Sequence, residues 1–206
     1  MRVLSIFLLC GYIFANPYFP GDAWETKNHD EVGLDKLKIE ELFELTFSDD
    51  ATMSAVLIKD GYIIKEQYAE GFNESSYGTS WSTAKSFYAA LVGISLDKGE
   101  IDSLDDPVAK YVPLYNEGKK KDITIRQILN MTSGLEFPSH EHEMMFFEPD
   151  HLAYAYKVGV EDEPGKVFQY NNVNSMLMGE ILKGATGKTA KQLIEERLFS
   201  LSLIHI

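Results

Sequence analysis

A hydroxyl and a basic amine, a pair that can perform nucleophilic chemistry, occur three residues apart at Ser82-Thr83-Ala84-Lys85. On a helix, side chains three residues apart are neighbours, so the Ser82 hydroxyl and the Lys85 amine can come within hydrogen-bonding distance. Lys85 is the last charged residue before the apolar segment 87–96, and burial disfavours the charged form of an amine. Because serine needs an adjacent base to become a good nucleophile, the pattern predicts a serine–lysine pair at a helix N-terminus, which favours a developing oxyanion.

A second copy of the same spacing, Ser95-Leu96-Asp97-Lys98, shows that the pattern alone is not specific. The neighbouring Asp97 and Gly99 indicate the solvated polar end of the same helix. We therefore expect no chemistry at the second copy, and the interpretation of Ser82 needs support from elsewhere in the chain.

Tyr170-Asn171-Asn172 is the second group that could act on a substrate. It follows a Pro164-Gly165 turn and precedes an apolar helix, so Tyr170 can lie on a loop beside a cleft. A phenolate held by cations can relay a proton, and the Asn172 amide offers a donor and an acceptor to a substrate carbonyl or amide. The alternative is an asparagine N-cap preceded by a packed aromatic residue, and these residues alone leave both interpretations open.

Three further features have both a functional and a structural interpretation. His140 and His142, with His151, could bind zinc, but no other anchor accompanies them and a solvated loop is the favoured interpretation. The segment 144–147 could line an apolar substrate pocket or belong to a core. Trp81 could line the cleft and bind substrate, or simply pack. We predict no metal and no cofactor.

The surrounding segments predict a helix and a hairpin packed on a mostly helical region. A helix is expected over 34–47, with an apolar face formed by Leu34, Leu37, Leu42 and Leu45. Two β-like runs, 52–59 and 62–69, are joined at Asp60-Gly61, a dipeptide that favours a tight hairpin turn. The uncharged segment 87–96 predicts a helix buried on every side. Further helices are expected over the ranges 105–112, 124–131, 151–157, 173–182 (with Gly184 near its end) and 189–199.

Composition and the two ends of the chain limit the classes of function. The chain has 206 residues and a formal net charge of −13, with no basic block, which disfavours nucleic-acid phosphates and anionic membrane surfaces as partners. Residues 1–15 begin with Arg2 and continue as an apolar run that is too short for a membrane span, so they are predicted to be a secretory signal peptide. The protein is therefore expected to be exported, to the periplasm or the medium. The single cysteine, Cys10, excludes an internal disulfide. Residues 201–206 follow the last helix without a turn or cap, and we predict that they are a non-native tail.

Several segments, in this order, resemble the serine β-lactamase and penicillin-binding-protein superfamily: WSTAKSF, DPVAKYVP, ITIRQILNMTSGL, PGKVFQYNNVNSMLMGEIL and TGKTAKQLIEERLF. The resemblance covers roughly residues 24–200. It is to the class C-like branch of esterases, D-aminopeptidases and 6-aminohexanoate-dimer hydrolases, and is nearest to the last. It implies an α+β fold of the β-lactamase/transpeptidase type, with a partial hydrolase domain over residues 16–200. It also implies that Ser82 is the acylated nucleophile, Lys85 its base, Tyr170 the proton relay and Asn172 a substrate-orienting amide.

The resemblance further implies a part that this sequence does not contain. Members of the branch carry a third motif on a downstream strand, which supplies an oxyanion N–H and belongs to the central sheet. We therefore expect that the chain is C-terminally truncated, that its sheet is incomplete, and that the polypeptide as it stands has little activity.

The function expected of the parent protein is hydrolysis of a small-molecule ester or amide, including β-lactams and short amide oligomers, through an acyl-enzyme on Ser82. One alternative is a penicillin-recognising DD-peptidase or β-lactamase. The other is a non-catalytic binding module that keeps the fold without the chemistry.

Overall fold

The computed structural model describes residue 21, residues 23–137 and residues 145–200. The predicted signal peptide, Cys10, the histidines at 140 and 142, Met144 and the segment 201–206 lie outside the described residues. Within the described part the fold is α+β, as predicted, and it forms two compact units that divide between Gly78 and Thr79. The single hydrolase domain over residues 16–200 stays a prediction. No described helix has the length and apolar character needed to span a membrane.

The first unit contains a helix and a hairpin. Helix α1, Lys36–Thr46, begins at Asp35, whose carboxylate accepts hydrogen bonds from two first-turn N–H groups. Strand β1, Ser54–Lys59, pairs antiparallel with β2, Tyr62–Tyr68. Between them, Asp60 and Gly61 both adopt the left-handed conformation, with φ values of 54° and 84°. Because a two-residue hairpin turn requires that conformation, the hairpin prediction is confirmed.

The apolar face predicted for α1 is wrong. The buried residues are Ile39 and Phe43, four positions apart, whereas the leucines of the predicted face are partly or largely exposed. The orientation of the helix follows its contacts with β2: the Lys65 ammonium pairs with Glu40 and lies 4.7 Å from the centroid of the Phe43 ring. Since Ile39, Glu40 and Phe43 share one side of the helix, this side faces the hairpin and the leucines do not.

The second unit is built around one long helix. Its helices are α2, Ala84–Asp97; α3, Ile125–Leu129; α4, His151–Lys157; α5, Asn172–Thr186; and α6, Ala190–Ile194, which continues into a π-helical turn, Glu195–Phe199. Helix α5 contacts α2, α3, α4 and α6. Its residues Val173, Leu177 and Ile181 repeat every four positions and are fully buried. The start of α5 is thus held at the centre of this unit.

Two helix predictions in this unit need correction. The segment 105–112 does not form one helix: Pro107 is extended, the N–H of Val108 donates to the carbonyl of Ile123 at 2.8 Å, and only a short 3-10 turn forms, at Val108–Lys110. A second 3-10 turn, Pro113–Tyr115, follows it. Helix α2 is not buried on every side. Leu91 and Val92 are inaccessible, whereas Ala89, Ala90 and Gly93 are exposed, since α5 and α6 pack against the other side of the helix.

Gly184 lies near the end of α5, as predicted; the helix continues to Thr186 and stops at Gly187, a residue with a φ of 73°. Gly184 lies inside the helix, where a Cβ atom would be 2.0 Å from the carbonyl oxygen of Tyr111. A glycine is therefore required there by the close approach of another backbone segment.

The second Ser-x-x-Lys copy has a structural role that differs from the expected one. Lys98 is exposed as predicted, but Ser95 is fully buried rather than solvated. The Ser95 hydroxyl accepts a hydrogen bond of 3.0 Å from Nη1 of Arg197, and this guanidinium also donates to both carboxylate oxygens of Glu100, at 2.7 and 2.6 Å. The contacts tie the end of α2 to the π-helical turn, and sequence spacing could not reveal a partner so distant in the chain.

Candidate active site

Ser82 and Lys85 lie at the start of α2. Ser82 is in a 3-10 turn, Trp81–Thr83, which leads directly into the helix, and Lys85 is the second helical residue. This continuous helical geometry places the two side chains on one face, and Lys85 Nζ donates a hydrogen bond of 2.9 Å to Ser82 Oγ. The lysine is half-buried, whereas the serine is exposed and open to a substrate.

Tyr170 completes a contiguous group with these two residues. Its phenolic oxygen lies 2.6 Å from Ser82 Oγ, and either oxygen can donate the hydrogen bond. Lys85 Nζ lies 5.0 Å from the centroid of the Tyr170 ring. The hydroxyl of Ser82 is therefore in contact with an amine on one side and a phenol on the other, which are the groups that could remove its proton.

The electrostatic environment lowers the pKa of Tyr170. Lys85, and next the Ser82 hydroxyl, stabilise the negative charge on the phenolic oxygen and hold the pKa of Tyr170 below its ordinary value of 10.0, against the opposing effect of desolvation. A phenol with a lowered pKa is better suited to accept and return a proton near neutral pH.

The loop that carries Tyr170 is held by its neighbour Asn171. The Asn171 side chain is buried; its Oδ1 accepts a hydrogen bond of 2.8 Å from the N–H of Val173, and its Nδ2 donates one of 3.1 Å to the carbonyl of Leu135. Asn171 is therefore the N-cap of α5, so the N-cap interpretation holds for this residue. Its other hydrogen bond explains why Tyr170 lies where it does: the cap anchors the loop to the 131–135 segment.

Two backbone contacts reinforce this anchoring. The N–H of Gln169 donates to the carbonyl of Met131 at 2.9 Å, and the N–H of Gly165 donates to that of Thr132 at 2.7 Å. Gly134 has a φ of 71°, and a Cβ atom there would lie 2.3 Å from the carbonyl oxygen of Asp162. Through these contacts the segment 131–135 fixes the position of the Tyr170 loop, a role that its sequence alone did not indicate.

The remaining predicted site residues surround one cleft of about 310 Å³. Asn172 is the first residue of α5 and lines this cleft, and Trp81 lies at its exposed rim with 78% of its surface accessible. The complete set of described lining residues is Trp81, Ser82, Lys85, Tyr88, Met145, Asn172, Ser175 and Met176. Sequence reasoning missed Tyr88, Ser175 and Met176, although their spacing of three or four residues from Lys85 and Asn172 along α2 and α5 is a usable signal.

Trp81 also has an unusual backbone. Its φ is 44°, in the left-handed region that a residue with a side chain rarely adopts. Such strain is retained where the surrounding structure fixes it, and it occurs here immediately before Ser82.

Residues 23–137 and 145–200 contain no cluster of three or more histidine, cysteine or acidic side chains that could hold a metal ion. Of the three histidines considered for zinc, His151 is described and is the first residue of α4.

A family model described as Beta-lactamase matches residues 47–206, and the chain belongs to this family. The match confirms the predicted superfamily.

Solved structures share the fold of this chain. A protein from Bacillus anthracis that is provisionally named a 6-aminohexanoate-dimer hydrolase superposes with a TM-score of 0.69 at 19% identity, covering 88% of this chain and 53% of that protein. A D-stereospecific amidohydrolase from Streptomyces gives a TM-score of 0.62 at 23% identity, with 81% of this chain and 54% of that protein covered. At these identities the likeness concerns the fold.

Among curated proteins, the chain is similar to protein flp of Staphylococcus aureus strain MW2. The two are 28% identical over 122 residues, which is 56% of this chain and 24% of flp. The chain thus spans about half the length of the structural relatives and about a quarter of flp.

Proposed function

We propose that the protein is a serine hydrolase that cleaves an ester or amide bond of a small molecule through an acyl-enzyme on Ser82. The observation that carries the proposal is the contact of one exposed hydroxyl with an amine and a phenol: Ser82 Oγ lies 2.9 Å from Lys85 Nζ and 2.6 Å from the Tyr170 oxygen. These distances suit a nucleophile and its base.

In the acylation step, Ser82 Oγ attacks the substrate carbonyl carbon, and its one proton passes through the pair formed by Lys85 and Tyr170 to the Tyr170 oxygen. The positive end of α2 favours the negative charge that develops on the carbonyl oxygen. The bond to the leaving group then breaks, and the leaving alcohol or amine receives the proton from Tyr170. The acyl group stays on Ser82, and Asn172 orients the substrate through its amide.

In the deacylation step, a water molecule attacks the acyl carbon and gives its proton to the same pair. The bond to Ser82 Oγ breaks, the serine recovers a proton, and the carboxylic acid leaves. Together the two steps consume one substrate molecule and one water molecule, and they return Ser82 and Tyr170 to their starting states.

The proposal is tested with the full-length protein expressed from its gene. We expect a burst of p-nitrophenol from a short-chain p-nitrophenyl ester, equal in amount to the protein, and its loss in Ser82→Ala. Ser86→Ala is the matched control, because Ser86 is an exposed serine of the same helix. A burst that persists in Ser82→Ala would show that Ser82 is not the nucleophile. The absence of any burst and of any covalent label on Ser82 would instead favour a non-catalytic binding module.

A fluorescent penicillin separates this proposal from its nearest rival. The esterase or amidase function predicts weak labelling of Ser82 by the penicillin. Stable labelling would instead indicate a DD-peptidase, and rapid turnover a β-lactamase.

A further inference from the structure

The first turn of α5 carries a buried amide where helical periodicity predicts an apolar side chain. Asn174 is fully inaccessible and lies in line with Met178 and Ile181, which follow it along the buried side of the helix. The other buried residues of α5 are all apolar: Val173, Leu177, Met178, Ile181 and Leu182. Because burial of an amide is unfavourable unless it is hydrogen-bonded, Asn174 indicates a role that apolar packing does not supply.

The Asn174 amide binds Met131, a residue with a disfavoured backbone conformation. Asn174 Nδ2 donates a hydrogen bond of 3.4 Å to Met131 Sδ. Met131 has a φ of 58°, in the left-handed region, where a Cβ atom crowds the following carbonyl oxygen. Such a conformation persists only where neighbouring groups hold it, and the Asn174 amide is one of the groups in contact with this residue.

Met131 in turn holds the backbone next to Tyr170. Its carbonyl accepts the hydrogen bond of 2.9 Å from the N–H of Gln169, the residue before Tyr170. Asn171, the residue after Tyr170, donates a hydrogen bond of 3.1 Å to the other end of the segment 131–135. Both chain neighbours of Tyr170 are thus bonded to this segment, so a change in the backbone of Met131 would displace Gln169 and, with it, the phenolic oxygen of the candidate site.

On the basis of the proposed function, we propose that Asn174 is a positioning residue: by holding Met131 in its left-handed conformation, the amide keeps the phenol of Tyr170 in contact with the nucleophile. Asn174 is not among the described residues that line the cleft, so it acts through Met131 and Gln169 rather than on the substrate. An apolar side chain could fill the same space but would not favour one backbone conformation of Met131. The reason is that apolar contacts are non-directional, whereas a hydrogen bond has a preferred geometry.

The test measures kcat/KM of the full-length protein with a p-nitrophenyl ester. Asn174→Ala should lower kcat/KM by about 10- to 100-fold, because a displaced phenol transfers the proton less efficiently. In a Tyr170→Phe background the same substitution should change kcat/KM by less than about twofold, since the oxygen that Asn174 positions is absent. A purely structural role would lower kcat/KM by the same factor in both backgrounds. Asn174→Ala should also shift the rise of kcat/KM to higher pH, because the Tyr170 pKa is lowered by contacts that the displaced phenol loses.

Two further substitutions separate positioning from packing. Ile181→Val shortens a buried side chain of the same helix and should lower the melting temperature without changing kcat/KM. Met131→Leu keeps the size of its side chain and removes the sulfur acceptor, so it should lower kcat/KM, and the double variant with Asn174→Ala should be no slower than Asn174→Ala alone. If Asn174→Ala does not fold, Met131→Leu alone decides. A kcat/KM within about twofold of wild type in a folded Asn174→Ala or Met131→Leu protein, or equal losses in the two Tyr170 backgrounds, would overturn the inference.

Covalent labelling of the wild type by a fluorophosphonate distinguishes failure of the inference from failure of the proposed function. If Ser82 is labelled and Asn174→Ala keeps the wild-type kcat/KM, the positioning role is wrong and the hydrolase function stands. If Ser82 is not labelled, the proposed function itself fails, and with it the role of Asn174.

Discussion

Replacement of Tyr170 by phenylalanine isolates the phenolic oxygen that contacts Ser82. The substitution keeps the ring, which lies 5.0 Å from Lys85 Nζ, and removes only the oxygen 2.6 Å from Ser82 Oγ. A positioned proton-transfer group contributes roughly 10²- to 10⁴-fold to the rate. We expect kcat/KM for an ester substrate to fall by that factor, which corresponds to about 3–5 kcal/mol of transition-state stabilisation.

The pH dependence gives a second readout of the same substitution. Lys85 lowers the pKa of Tyr170 below 10.0, so the phenolate forms at a lower pH than in an ordinary tyrosine. In the wild type, kcat/KM should rise with pH through this lowered pKa, and the rise should be absent in Tyr170→Phe. The effect on stability has a defined sign. An acid with a depressed folded-state pKa stabilises the fold above its unfolded pKa, and this contribution is lost as pH falls through the folded pKa.

The assay is the steady-state rate with a p-nitrophenyl ester across neutral and alkaline pH, combined with thermal unfolding. Below the pKa of Tyr170, the free energy of unfolding should change by no more than about 1 kcal/mol, since one hydrogen bond is lost at a half-exposed site. Tyr77→Phe is the control, because the Tyr77 side chain is fully exposed. A Tyr170→Phe protein that is folded and keeps its rate within about threefold would refute the proton-transfer role.

Two further predictions concern the packing that supports the site. Glu100→Gln should lower the free energy of unfolding by about 3 kcal/mol at neutral pH, because it leaves the buried Arg197 guanidinium without its counter-charge. Arg197 lowers the pKa of Glu100 from 4.5. The difference in the free energy of unfolding between wild type and Glu100→Gln should therefore be fully present above pH 4.5 and should disappear as the pH falls through the lowered pKa. A difference that stays constant with pH in urea denaturation would contradict the pairing. Gly184→Ala should destabilise the fold by about 2 kcal/mol, because the clash with the Tyr111 carbonyl outweighs the better helix propensity of alanine. Gly93→Ala, on an open helix face, should instead stabilise by about 1 kcal/mol, and equal melting temperatures for the two variants would argue against the close approach at Gly184.

The contact between Ser82 and Lys85 was predictable from the sequence. A helix fixes the distance between residues three apart, so the spacing and the helix-forming segment that follows were sufficient. The hairpin was predictable for the same kind of reason, because Asp60-Gly61 favours the left-handed backbone that the turn requires. The caps of α3 and α6 also follow from local pattern: Thr124 with Gln127, and Thr189 with Gln192, form capping boxes.

The position of Tyr170 was not derivable in this way. From the residues alone, Tyr170 could either line a cleft or be a packed aromatic residue. Only the family resemblance related it to Ser82. The contact spans 88 positions and depends on Asn171 binding the Leu135 carbonyl and on the glycine at 134. Such a contact reflects the summed packing of several segments, which no local pattern encodes.

The sequence by itself therefore determined local geometry: the capping boxes of α3 and α6, the hairpin turn at Asp60-Gly61, and the position of a hydroxyl and an amine on one helical face. Only the tertiary structure decided which faces are buried, as the exposed leucines of α1 and the buried Ser95 show. It also decided that a phenol reaches the hydroxyl from a distant loop. The reason is that dihedral preferences and hydrogen bonds along a helix act within a few residues, whereas burial and long-range contacts are fixed by how whole elements compete for the same apolar surface.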